Sequence, residues 1–262
     1  IITNRSAQTT VVVKDGVADF AKVAKGQLVL RIRPWAKARV GSKTLGTTPL
    51  DAVPLPMGSW VLRVEHPGRQ AVRYPVHLAR GEHWTGVAPG DATPTVIPLP
   101  PVGALDPDDV YVPAGWFRAG GDGARHGVSP RRLWCPAFVI RRFNVTNAEY
   151  LDFLHALIDD GQADEADRWV PRLPGQGPSD TGPPSYAFDG HRYHLTTDPD
   201  GDTWMPRHPV CLVDVWGSMA FGRWRARATG RPWRLVGEWE FAKAARGVDG
   251  RRYPMGDHLD PS

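Results

Sequence analysis

Apolar and polar positions alternate along residues 27–99. Leu28, Leu30 and Ile32 fall on one side of an extended chain while Val29, Arg31 and Arg33 fall on the other, the two-residue period of a half-buried strand. The alternation returns in Trp60, Leu62 and Val64 against Arg63 and Glu65, and again in Val72, Tyr74, Val76 and Leu78 against Arg73 and His77. Between these runs, Gly41-Ser42-Lys43, Pro54 to Gly58, His66-Pro67-Gly68 and Arg80-Gly81-Glu82 read as turns. The spacing predicts a small antiparallel β-domain whose alternating arginines form a solvated face. Ahead of it, residues 1–26 form an unassigned segment, in which TTVVV predicts a strand and GVADFAKVAKG a short helical turn.

From Ile97 to Asp109 the chain is rich in proline and acid and has no period, which predicts a linker at 100–109. A helix is well specified further on. Thr146 and Glu149 have the spacing of a capping box, in which hydroxyl and carboxylate satisfy the unpaired amides of a first turn. Tyr150, Phe153, Leu154, Leu157 and Ile158 then recur with helical spacing, and Gly161 supplies the stop.

The composition is that of a globular chain: 262 residues, 41% hydrophobic, 23% charged, with a mean hydropathy of −0.36. No stretch approaches the roughly 18 apolar residues of a membrane span, and the first residues lack the apolar core of a secretory signal. With 28 Gly, 26 Pro and 11 Trp the chain predicts short elements, many turns and large aromatics rather than a helical bundle. A net charge of +4, spread along the chain, argues against nucleic acid as a partner. Cys135 and Cys211 sit in apolar settings and read as reduced core residues of a cytoplasmic protein. The chain opens at Ile1 and closes at Ser262 without a cap or tail, which suggests a piece of something longer.

The residues PWAKARVGSKTLGTTPL and LPMGSWVLRVEHPG resemble the PEGA domain, a small bacterial β-sandwich, with Thr48-Pro49-Leu50 and Gly58 at its characteristic turns. Trp35-Ala36-Lys37-Ala38 replaces that family's usual step. The region 110–257 resembles the formylglycine-generating enzyme (sulfatase-modifying factor) family. Val112-Pro113-Ala114-Gly115, Phe117 and Gly120 match its opening motif, and Val145-Thr146-Asn147, Tyr150 and Phe153 its second. Pro209-Val210, Val213, Ala220, Phe221, Trp224 and Arg234-Leu235 match the third, and EWEFAKAARGVDGRRYPMGD the fourth. Asp214-Val215, Gly217-Ser218, Val236-Gly237 and Met255 depart from it. The resemblance implies an α+β chain: a small antiparallel β-sandwich (PEGA-like, 27–99), then an incomplete C-type-lectin-like sulfatase-modifying-factor domain at 110–262 that lacks its C-terminal part.

The same resemblance sets the expected chemistry. Formylglycine generation oxidises a substrate cysteine with copper held by two thiolates, soft ligands that select Cu(I). The family's cysteines lie in the C-terminal part of its domain, and this chain has none after Cys211. An iron-dependent branch uses a histidine motif, for which His191 and His194 are the nearest candidates, read as loop residues without a third ligand. Asp198, Asp200 and Asp202 have the alternate spacing of a calcium loop but lack a bidentate Glu, so calcium is expected only in a completed domain. Glu238 and Glu240 point apart on a helix and read as capping or ion-pairing groups.

No catalytic set and no cofactor are therefore expected in this chain. Its pairing of domains resembles the C-terminal region of some bacterial Ser/Thr kinases, although no kinase signature is present. The expectation is a non-catalytic sensory or protein-binding regulatory region, with an oxidase completed by a missing C-terminal portion as the alternative. Trp169, Tyr186, Tyr193 and Trp204, on the loops of 161–207, are the candidate contact surface, with burial against the domain as the plainer reading. Phe153, Leu154, Leu157, Phe221 and Trp224 are expected to need a cover from a protein partner or the missing half.

Overall fold

The computed structural model describes residues 25–121, 127–175, 181–197 and 201–257, with the backbone alone for Thr181 and for 2–4, 9–11, 13–14 and 17–18. Two compact units emerge: residues 1–141 together with 237–262, and residues 142–236.

In the first unit two short hairpins lead. β1 (Ile2–Asn4) pairs with β2 (Thr9–Val11), and β3 (Val13–Lys14) with β4 (Val17–Ala18). The expected helical turn thus begins as a strand; residues 19–24 lie outside the described ones. β5 (Lys25–Leu30) lies between β9 (Leu50–Pro56) and the parallel β12 (His83–Trp84), and β6 (Ile32–Arg33) pairs in parallel with β13 (Ile97–Pro98). A four-stranded antiparallel sheet runs β11 (Val72–Leu78), β10 (Gly58–Glu65), β7 (Lys37–Val40), β8 (Lys43–Thr47).

The alternating residues fill one core. Leu28, Leu30, Ile32, Leu62, Val64, Val72, Tyr74, Val76 and Leu78 are all buried there, while Trp60 packs at its margin. Pro54 to Pro56 belongs to β9 rather than to a turn. β9 is an edge strand, where a missing N–H interrupts no ladder on the open side. Ile97 and Leu99 are buried in the same core.

The strands that follow pack within this unit. β14 (Asp109–Val112) pairs with β17 (Phe138–Arg141), and β15 (Gly115–Ala119) with β16 (Arg131–Cys135). Tyr74 donates its hydroxyl proton to Ala114 O (3.0 Å), and the Trp116 indole donates to Val87 O (2.9 Å). A second cluster of Phe117, Ala119, Cys135 and Val248 gathers Trp239 and Ala242 from the helix α4 (Glu238–Arg246). Glu240 acts as the expected cap, accepting from Gly237 N at 2.8 Å. The stem of Lys243 is buried, and its ammonium donates to Pro113 O (2.7 Å) and Gly115 O (3.3 Å).

The second unit is built on α1 (Asn147–Asp159), α2 (Ala163–Trp169) and α3 (Val215–Thr229), with the hairpins β18 (Arg172–Pro174)–β19 (Thr181–Pro184) and β20 (Tyr186–Phe188)–β21 (Tyr193–Leu195). α1 starts with the predicted box: Thr146 Oγ1 accepts from Glu149 N at 3.3 Å, and Glu149 Oε2 accepts from Thr146 N at 3.0 Å. Thr146→Ala removes half of this box and is expected to cost about 1 kcal/mol in urea unfolding; an unchanged midpoint would show that the box adds nothing.

Of the five side chains expected to need an outside cover, Phe153, Leu154, Leu157 and Phe221 are buried within this unit, and Trp224 packs partly buried against them. For the four buried side chains that expectation is corrected. Tyr186 and Tyr193, brought over α1 by the β20–β21 hairpin, help to close the core. Among the described residues no helix is long and apolar enough to cross a membrane.

Candidate functional site

The candidate aromatics divide once their neighbours are known. Tyr186 and Tyr193 are buried, and they fasten segments of 170–208 onto α1 instead of facing outward. The Tyr186 hydroxyl donates to Asn147 Oδ1 at 2.8 Å, and the Asn147 amide donates to Met205 O at 3.0 Å. The Asn147 and Ala148 amides, unpaired in the first helical turn, donate to His208 O (2.9 Å) and Pro206 O (3.0 Å). Tyr150 donates to Trp169 O at 2.8 Å. Burial holds the Tyr150 and Tyr186 hydroxyls far above the usual phenol range and pushes Tyr193 up to about 12, with Asp167 adding to it, so all three remain neutral donors.

As a contact surface, then, Tyr186 and Tyr193 are corrected to core residues. Trp169 is half-buried, its indole donating to Glu165 at 2.7 Å beneath the Arg168 guanidinium, 4.8 Å from the ring centre. Trp204 is also half-buried, and among the described residues its indole N–H has no hydrogen-bond partner. Asn147 is the anchor that periodicity could not mark. Its signal was its place in the Val145-Thr146-Asn147 motif.

The remaining candidates carry little chemistry. Asp198 and Asp200 lie outside the described residues, and Asp202 is exposed. His194 is exposed and rests on Asp189 at 2.6 Å. Asp189 is held below the usual carboxylate range by the Arg192 and His191 amides, then by His194, so this loop reads as a self-satisfied turn. Cys135 is buried, whereas Cys211 is exposed, a correction to its reading as core. It lies on the segment entering α3, with Sγ 3.6 Å from Pro209 O.

α3 itself has two unlike faces. Gly217, Ala220, Phe221 and Gly222 face inward. A Cβ on Gly217 would stand 3.0 Å from the Tyr150 hydroxyl, and one on Gly222 would stand 3.2 Å from Arg234 Cα, so small residues permit this close approach. The outward face of its first turns is apolar: Val215 is 53% exposed, Trp216 62% and Met219 38%, with Leu212 just ahead at 41%. Asp214 caps this end, accepting from Gly217 N at 2.6 Å.

Comparison with known proteins places these elements. Residues 99–262 match the Sulfatase-modifying factor enzyme 1-like domain, the FGE-sulfatase family. The chain belongs to this family. It is also similar to Uncharacterized protein YfmG of Bacillus subtilis (strain 168), 25% identical over 162 residues that cover 58% of this chain. The match spans 28% of that relative's length.

Within the FGE-sulfatase domain, the copper pair implied for the family's oxidases does not fit these thiols. Cys135 is enclosed by Phe117, Ala119 and Val248, a packed apolar cluster holding no second sulfur, and Cys211 is a surface thiol among backbone groups.

Proposed function

We propose that this chain is a non-catalytic, protein-binding regulatory region of a larger cytoplasmic bacterial signalling protein, such as a Ser/Thr kinase, in which residues 27–99 form a PEGA-like β-domain ahead of the FGE-sulfatase domain. The observation that carries the reading is the outward face of α3. Val215, Trp216 and Met219 stand exposed on a helix whose opposite face packs through Gly217, Ala220, Phe221 and Gly222, and such a patch marks a protein contact more often than a small-molecule site. The partner that suits it is a protein segment presenting apolar side chains, because Leu212, Val215, Trp216 and Met219 are apolar and the adjacent Asp214 carboxylate is engaged in capping the helix. The poor fit of the two thiols to copper supports the non-catalytic part.

Two measurements test it. In the larger protein the amides of 212–219 are expected to exchange more slowly than in the 262-residue chain, and Trp216→Glu to remove the difference; equal exchange in both would overturn the binding role. Copper titration in the presence of a cysteine-containing sulfatase peptide is expected to give neither stoichiometric uptake nor aldehyde. Both together would establish the oxidase instead.

A further inference from the structure

A cleft of about 250 Å³ opens in the first unit, between the β10–β11 hairpin and the β15–β16 hairpin. Trp84, Trp116 and Val248 give it apolar walls, and His77, Arg118 and Arg132 its polar ones.

The charges in the cleft are not equivalent. Arg132 is already spent: its guanidinium lies 4.7 Å from the Trp116 ring centre and pairs with Glu82 Oε1 at 2.9 Å. Glu82 is spent as well, since its other oxygen accepts from Ala79 N at 2.8 Å. Arg118 differs. Its amide is fixed to Val248 O at 3.1 Å, its side chain is exposed, and among the described residues its guanidinium has no ion pair and no hydrogen bond.

His77 has a defined proton. Ser59 donates its only hydroxyl proton to Asp249 Oδ2 at 2.8 Å, so the 3.1 Å contact between Ser59 Oγ and His77 Nδ1 requires the proton on Nδ1. Asp249 is able to hold that proton donor. Burial pushes its carboxyl up, but hydrogen bonds from Arg251 and Ser59 outweigh this and bring it down to about 2. Burial, followed by the nearby Arg118, holds the imidazole below its ordinary value, against the opposing pull of Asp249 and Glu82. A neutral ring with Nδ1–H leaves Nε2 as a hydrogen-bond acceptor for whatever occupies the cleft.

We propose that this cleft binds a carboxylate joined to a small apolar body, the acid pairing with Arg118, an adjacent N–H or O–H donating to His77 Nε2, and the apolar part lying against Trp84, Trp116 and Val248. One free guanidinium matches one negative charge, and the planar fork matches a carboxylate. With Arg132 held by Glu82, the cleft offers no second free cation for a dianion such as phosphate. The volume is a little below that of pockets for drug-sized ligands, which suits a small acid. A free acylated amino acid and the C-terminus of a peptide share this chemistry.

Calorimetric titration of the full chain with N-acetyl-leucine tests the site, with its carboxamide and inorganic phosphate as controls. The acid is expected to bind, and the carboxamide and Arg118→Gln each to weaken binding about tenfold or more, the scale of one charge-assisted hydrogen bond. Glu82→Gln is expected to tighten it by releasing Arg132 from its ion pair as a second cation in the cleft. An acetylated tetrapeptide ending in leucine distinguishes the sources: tighter binding than N-acetyl-leucine assigns a chain end, and equal binding assigns a small acid. No heat from the acid at millimolar concentration, equal binding by the carboxamide, equal binding by phosphate, or an unaffected Arg118→Gln protein with an unchanged unfolding transition would each overturn the proposal.

Discussion

Replacing Phe153 by Ala is expected to destabilise the 142–236 unit by about 3–5 kcal/mol, the range for deleting a buried phenyl ring from a packed core. Phe153 is the hub at which α1 meets α3. Its ring lies 5.4 Å from Tyr150 at 74°, 5.8 Å from Phe221 at 90° and 5.6 Å from Trp224 at 49°, centroid to centroid, so truncation removes edge contacts to two aromatics and a tilted contact to a third, as well as buried area. The cavity would collapse little, because Tyr150 is held from its far end by the bond to Trp169 O. Phe153→Leu keeps most of the volume and is expected to cost under about half as much. Urea unfolding, read by hydrogen exchange of α1 amides, distinguishes the outcomes. A loss below about 1 kcal/mol for the alanine variant would mean that the two helices are not joined through this ring.

The strands within 27–99 were legible because they are half-buried, so burial repeats every second residue and the alternation is visible in the chain itself. Leu62 and Val64 face Tyr74 and Val72 across the β10–β11 ladder, each pair in register as the pattern implies. Pro54 to Pro56 misled for a local reason: proline marks turns in general, yet an edge strand tolerates it. α1 was legible from its cap and its stripe. α2 was not, because in ADEADRW only Ala166 is buried and no apolar period exists to be read.

The site residues were less legible, since their roles depend on partners distant in sequence. Tyr186 meets Asn147 across 39 positions, and nothing near Tyr186 marks its hydroxyl as buried. The cleft needs His77 and Ser59 from one hairpin, Arg118 from another and Asp249 from the turn after α4, a convergence that only the fold supplies. Exposure of Val215, Trp216 and Met219 was likewise hidden, because helical spacing shows that a helix has apolar residues without showing which of its faces a neighbour covers.

Lys243 carries the second large effect, and it is one of pH. Burial lowers its ammonium from 10.5 to about 8, opposed only in part by Cys135, while the unfolded chain returns it to the ordinary value. Between pH 8 and pH 10 the unfolded state therefore binds more protons than the folded one, and stability rises with pH. Across that window the gain is expected to reach about 2–3 kcal/mol, at 1.36 kcal/mol for each pH unit. Above pH 10 the sign reverses. The Tyr74, Tyr150 and Tyr186 hydroxyls are raised by burial, so the unfolded chain loses those protons first. Urea midpoints for the wild-type chain from pH 7.5 to 10 should climb, and Lys243→Met, which keeps the stem and removes the titrating group, should flatten the climb. A profile equally flat in both proteins would mean that the ammonium is solvated in the folded state. The bonds from Nζ to Pro113 O and Gly115 O would then not be what seats α4 against the Val112-Pro113-Ala114-Gly115 strand turn.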